Sequence, residues 1–122
     1  ELKKAKEFLP GLYVPTYIPE GYELDRLEIK KFYSGDYQCN YEYKNEKETM
    51  KLLLYYFADK DFAYQWSGEG ELITLQDRKI LVSEDSVNND VVVSVYTEIC
   101  NIDISGYNNK NELISVAKGM RQ

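Results

Sequence analysis

Residues 37–44 read Tyr-Gln-Cys-Asn-Tyr-Glu-Tyr-Lys, a strict alternation in which every odd position is apolar or aromatic and every even one is polar. Side chains repeat with period two only in an extended strand, so this segment must bury one face and wet the other. A strand of that kind cannot stand alone, because its backbone donors and acceptors need partners on both sides. The chain is therefore committed to a sheet, and the remaining question is what pairs with it.

Further strand patterns follow. Glu23 to Tyr33 places Leu27, Ile29 and Tyr33 on one face and ends in the turn signal Ser34-Gly35-Asp36. After a second turn at Asn45 to Lys47, Thr49 to Ala58 is apolar on both parities, which predicts a strand covered on both sides. Leu72 to Leu75 and Lys79 to Val82 are short strands, and Val91 to Cys100 reads as one long β-branched strand followed by Ile102 to Ser105. Asp59 to Gly70 is a polar connection that carries Trp66, and Ser83 to Asn89 is an acidic, Asn-rich loop.

Helices are expected at the two ends, and the Asp59–Gly70 connection has room for a turn of helix around Asp61 to Gln65. Leu2, Ala5, Phe8 and Leu9 fall at helical spacing before Pro10-Gly11 stops them, and Pro15, Pro19 and Gly21 then pin an extended entry segment. At the other end Asn109 and Glu112 fit a capping box ahead of the stripe Leu113, Val116, Ala117 and Met120. The expected fold is α+β: a curved antiparallel sheet of about six to eight strands, a short N-terminal helix and a closing C-terminal amphipathic helix. Residues 1–12 read as an N-terminal helix or linker remnant, and residues 13–122 as a single domain. A length of 122 residues suffices for one core of ordinary size.

Composition removes several functions. The chain has no histidine, which excludes Ser-His-Asp and Cys-His catalysis and His-ligated zinc. Acidic residues outnumber basic ones, 21 against 15, for a net charge of −6. Phosphate contacts need a clustered positive face, so no nucleic acid is expected as a partner. No GxSxG, GxGxxG or P-loop pattern occurs, and no two carboxylates are marked as converging, so no catalytic residue, cofactor or metal is assigned. Glu84, Asp85 and Asp90 fit no calcium loop. Cys39 and Cys100 both face a core side. They are either two inert buried thiols or a disulfide, whose large loop would contribute ~4 kcal/mol in an oxidising compartment. Trp66, in its polar loop, is the candidate ligand-stacking side chain, with the twelve tyrosines as further platforms.

The segment PTYIPEGYEL, Pro15 to Leu24, resembles the opening of a poorly characterised Firmicutes domain family of unknown function, whose Pro-x-Tyr-x-Pro-Glu-Gly-Tyr phrase leads into an antiparallel sheet. The helix phrase Glu112-Leu113-Ile114-Ser115-Val116-Ala117 is similar in style to the family's end, whereas Val95-Tyr96 stands where members usually carry a Trp. The resemblance implies a domain outside the membrane, on a lipoprotein or on an anti-sigma-factor-like membrane protein. Since the chain opens at Glu1, we expect an N-terminal anchor ahead of it. The expected function is a non-enzymatic extracytoplasmic sensor or interaction domain in anti-sigma-type signalling. Its expected partner is a protein, a lipid-like group or a cell-wall component. A carbohydrate- or cell-wall-binding module using exposed Tyr and Trp is the alternative.

Overall fold

A computed structural model describes residues 2–59, 69–84, 87, 90–107 and 109–122. In chain order the elements are α1 (Leu2–Phe8), β1 (Val14–Pro15), β2 (Glu23–Lys31), β3 (Tyr37–Lys44), β4 (Thr49–Tyr56), β5 (Glu71–Thr74), β6 (Lys79–Glu84), β7 (Val91–Tyr96), β8 (Cys100–Ser105), α2 (Lys110–Lys118) and β9 (Met120–Arg121). Among the described residues the fold is mostly antiparallel sheet with two short helices. Seven strands pair in the order β2-β3-β4-β8-β7-β6-β5 in a sheet that does not close, and β1 pairs with β9 in a separate two-stranded ladder.

The alternating segment is a strand over the whole of its expected range, Tyr37–Lys44, with Cys39, Tyr41 and Tyr43 buried. Their inward face continues through Met50, Leu52, Leu54 and Tyr56 on β4, Cys100, Ile102 and Ile104 on β8, and Val91, Val93 and Val95 on β7. Helix α2 lies on this inner face, against β6, β7 and β8, and seats Leu113, Val116 and Ala117 in the core. The capping box is present: the Asn109 side chain accepts the Glu112 backbone N–H at 3.2 Å. At the other end of the same face α1 sits over Leu27 and Ile29 of β2, with Ala5 and Leu9 buried.

Four sequence readings need correction. Strand β4 is central but buried on one side only: Lys51 and Leu53 are exposed and Tyr55 is half-buried. Val91 to Cys100 is two strands rather than one. The buried Thr97 hydroxyl accepts the backbone N–H groups of Ile99 (3.2 Å) and Cys100 (3.0 Å), closing a turn without Gly or Pro. Tyr33 does not join the Leu27–Ile29 face; it stands fully exposed at the β2–β3 hairpin. Met120 leaves the helix, which ends at Lys118 with Gly119 as its cap, and pairs with Pro15 in the β1–β9 ladder. The loop around Trp66 lies outside the described residues, as does Asp85.

The entry segment is held by tyrosine hydroxyls. Tyr41 donates to the Tyr13 carbonyl at 2.8 Å, and the Tyr56 hydroxyl accepts the Tyr13 N–H at 2.7 Å. Both bonds are buried, so removing either hydroxyl leaves a backbone group unpaired away from water. We expect Tyr41→Phe and Tyr56→Phe each to lower stability by about 1–3 kcal/mol. In urea unfolding this appears as a lower midpoint at unchanged slope.

Candidate functional site

Because both helices occupy the inner face, the opposite or outer face of the sheet presents the even-numbered side chains of β3 and the odd-numbered ones of β4 and β8. The strand register places them in rows across the sheet. Asn101 of β8 lies opposite Tyr55 of β4 on one side and Tyr96 of β7 on the other. One step along, Asp103 lies between Leu53 and Ser94, and Asn40 follows on β3 opposite Leu53. Strand neighbours stand roughly 4.7–4.9 Å apart, so the two tyrosines are separated by about 9.5 Å across the amide.

The side chains of this face are held from several directions. The Tyr55 hydroxyl donates to Asp36 Oδ2 at 2.8 Å, and Asp36 Oδ1 accepts the Ala58 N–H at 2.7 Å. Phe32 stacks on the Tyr55 ring at a centroid distance of 6.0 Å, and Phe57 packs against it at 4.9 Å. Lys30 lies 5.9 Å from the centre of the Phe32 ring. Ser94 donates to Asp103 Oδ1 at 2.8 Å. Burial chiefly raises the Tyr96 phenol above its ordinary value.

Asn101 differs from these neighbours. Its Oδ1 is hidden from water and has no hydrogen-bond partner, alone in this respect among the described buried side-chain polar atoms. A buried acceptor left unpaired costs about 1–3 kcal/mol, which is why native structures retain few of them.

The outer face is also close to electrical balance. It carries Arg26, Lys30, Lys51 and Lys79 beside Glu23, Glu28, Glu42 and Asp103, with Lys44 and Asp25 paired at 3.0 Å at its margin. The whole chain, by contrast, has a net charge of −6. On the outer face, among the described residues, Leu53 and Leu72 are exposed large apolar side chains, and Leu81, between Leu72 and Ser94, is buried.

The cysteines are not joined. Both are free and buried, and β4 lies between their strands, with Tyr56 as the register partner of Cys100 and Leu54 of Cys39. Two strand spacings, about 9.5 Å, exceed the roughly 7 Å beyond which two Cα atoms cannot be bridged. Burial pushes the thiols up, Cys39 to about 12 and Cys100 to about 11. Neither is a nucleophile near neutral pH. Among the described residues no group of three or more Cys, Asp or Glu is placed to hold a metal ion. Glu84 instead pairs with Lys110 at 3.3 Å. No helix of the described residues is long and apolar enough to cross a membrane.

Of the residues singled out in the sequence, Trp66 lies outside the described residues, and Cys39 and Cys100 belong to the core. The row Tyr55, Asn101 and Tyr96 was not singled out. Its signal lies in a pairing between residues 55 and 101, distant in sequence. No known family model matches this chain, and no curated protein shows significant similarity to it.

Two titrations follow. The Asp36 carboxyl is held below its ordinary 3.8, first by the Ala58 N–H and then by the Tyr55 hydroxyl. Its grip on Tyr55 is therefore complete above that value and lost as pH falls through the lower folded one. NMR of the Asp36 carboxyl carbon and the Tyr55 ring should show one shared inflection below pH 3.8. The thiols behave in the opposite sense. Their contribution is complete below the ordinary 9.0 and is lost as pH rises through about 11 and then about 12. Both cysteines should resist a disulfide reagent at pH 8 in the folded chain and react once it is unfolded.

Proposed function

We propose that this is a non-enzymatic binding domain that receives its partner on the outer face of the sheet. The observation that supports this reading most directly is the row Tyr55–Asn101–Tyr96, where a buried amide oxygen without a partner lies between two tyrosines on the face turned away from both helices. Core packing does not require such an atom. The oxygen itself is closed to water, so the surface a partner meets is formed by the half-buried Tyr55 and Tyr96 on either side of it. Chemistry is a poorer fit: the thiols are protonated, the chain lacks histidine, and Asp36 is occupied by Tyr55 and Ala58.

The wider setting of this reading comes from the Pro15–Leu24 phrase and its resemblance to extracytoplasmic Firmicutes domains. We place the domain outside the membrane, anchored in the full-length protein, with occupancy of the outer face signalled to an anti-sigma-type membrane partner.

Photo-cross-linking in the cells that make the protein tests the choice of face. A diazirine side chain at position 94, beside Asp103 on the outer face, should yield a saturable adduct. The same group at Ser115, on the exposed side of α2, should yield none. Adducts at 115 alone would place the recognition surface on the helical side and overturn the reading.

A further inference from the structure

We infer that the chain forms a two-fold dimer through the free edge of β2, which pairs antiparallel with β2 of a second copy about Ile29 and joins two seven-stranded sheets into one. This contact lies at the rim of the sheet and is independent of what the outer face binds.

Strand β2 stands at one end of the strand order, with β3 as its one partner among the described residues. The β2–β3 hairpin fixes which of its backbone groups are used. The Phe32 N–H donates to the Asp36 carbonyl at 2.9 Å, and the same register continues through Lys30–Gln38, Glu28–Asn40 and Arg26–Glu42. In an antiparallel pair alternate residues turn both backbone groups toward the partner, so Arg26, Glu28, Lys30 and Phe32 direct theirs to β3. The N–H and C=O groups of Leu27, Ile29 and Lys31 therefore point to the free edge. At the opposite rim β5 has four residues against nine in β2 and offers a shorter ladder.

The charges along this edge select the arrangement. A two-fold axis through Ile29 sets Ile29 opposite its own copy, Leu27 opposite the second Lys31 and Glu28 opposite the second Lys30. Every free backbone group of Leu27, Ile29 and Lys31 then has a partner. The Glu28–Lys30 pair arises twice by symmetry, at positions that do not exchange backbone hydrogen bonds and whose side chains stand closest. Arg26 falls opposite Phe32 and meets no like charge. An axis through Glu28, Lys30 or Lys31 instead sets a charge against its own copy. An axis through Leu27 runs into the register shift between Leu24 and Arg26, which cuts the ladder short.

The inner side of the rim supplies the apolar part. Leu27 and Ile29 are half-buried and, with Lys4, Ala5 and Phe8 of α1, line an open groove of about 310 Å³. Phe8 is 56% exposed, although its ring meets Tyr37 edge-on at 6.0 Å. With two copies joined at Ile29, the two grooves meet across the axis and their apolar rows run together, which removes this surface from water. Lys31, 5.6 Å from the centre of the Tyr37 ring, brings its aliphatic stem to the second Leu27. Charges on an edge strand repel unrelated strands, and in this order the same charges accept their own copy.

The test is sedimentation equilibrium of the 122-residue chain between about 10 μM and about 1 mM, the range suited to a contact made by a single strand. Monomer and dimer should be present, with no larger species. Glu28→Lys and Lys30→Glu should each raise the dissociation constant at least about tenfold, because like charges then face each other twice. An equimolar mixture of these two variants should dimerise again, since the altered positions are then opposite in charge. Lys31→Pro should abolish the dimer and leave the urea midpoint of the monomer nearly unchanged, because the N–H it removes lies on the free edge. A chain that stays monomeric at the highest concentration overturns the inference, as does a dimer that survives Lys30→Glu. If Lys31→Pro fails to fold, the mixture decides: recovery of the dimer supports pairing about Ile29, and its failure overturns it.

Discussion

The architecture depends on the way two buried phenols hold a short piece of backbone. Tyr41 and Tyr56 rise from adjacent strands and meet the carbonyl and the N–H of Tyr13, and the Tyr56 hydroxyl lies 3.4 Å from the Gly11 carbonyl, to which it donates. Residues 11–13 have no sheet partner of their own there, so side chains do what a neighbouring strand would otherwise do. With that segment fixed, Leu9 and Leu12 enter the core, α1 is delivered to the β2 end of the inner face, and Val14 is aimed at Arg121. Burial holds both phenols well above their ordinary value, so these bonds are made by neutral hydroxyls across the physiological range.

A second buried group performs the matching task near the C-terminus. Arg78 is 1% exposed, yet it carries a guanidinium into the core. It donates to the Ala117 carbonyl at 3.0 Å, pairs through two nitrogens with Asp77 and lies 5.6 Å from the centre of the Tyr13 ring. One planar cation thus links the β5–β6 turn, the end of α2 and the entry segment. Its fork geometry and fixed charge allow this, where a lysine would offer one ammonium and no stacking plane. Because the helices and the entry segment are gathered on the inner face in this way, the outer face is left, among the described residues, to the sheet's own side chains.

Much of this could be read from residue order. Tyr37–Lys44 alternates so cleanly that its range and buried face are both correct, and Asn109 with Glu112 marks the start of α2. Where the reading failed, long-range context decided the outcome. Thr97 breaks a β-branched run by folding its hydroxyl onto the next turn, a use of threonine that propensity does not distinguish from a strand residue. Met120 continues the apolar stripe of α2 but is taken by Pro15, more than a hundred residues earlier. The candidate site was the least legible part. Tyr55 sat in a segment that looked apolar on both sides, and only the β4–β8 and β7–β8 registers bring it into line with Asn101 and Tyr96.

The β1–β9 ladder has a mechanical meaning. Val14 and Arg121 are register partners, and the Gln122 side chain reaches the Gly11 carbonyl at 3.1 Å, so the chain enters and leaves the core at one place. A force applied at those two points acts first on a ladder of two residue pairs and not on the seven-stranded sheet. Behind the ladder stand the buried Met120 and the Tyr13 backbone held by Tyr41 and Tyr56, so this clasp and these phenol bonds meet such a force before the strands of the large sheet do.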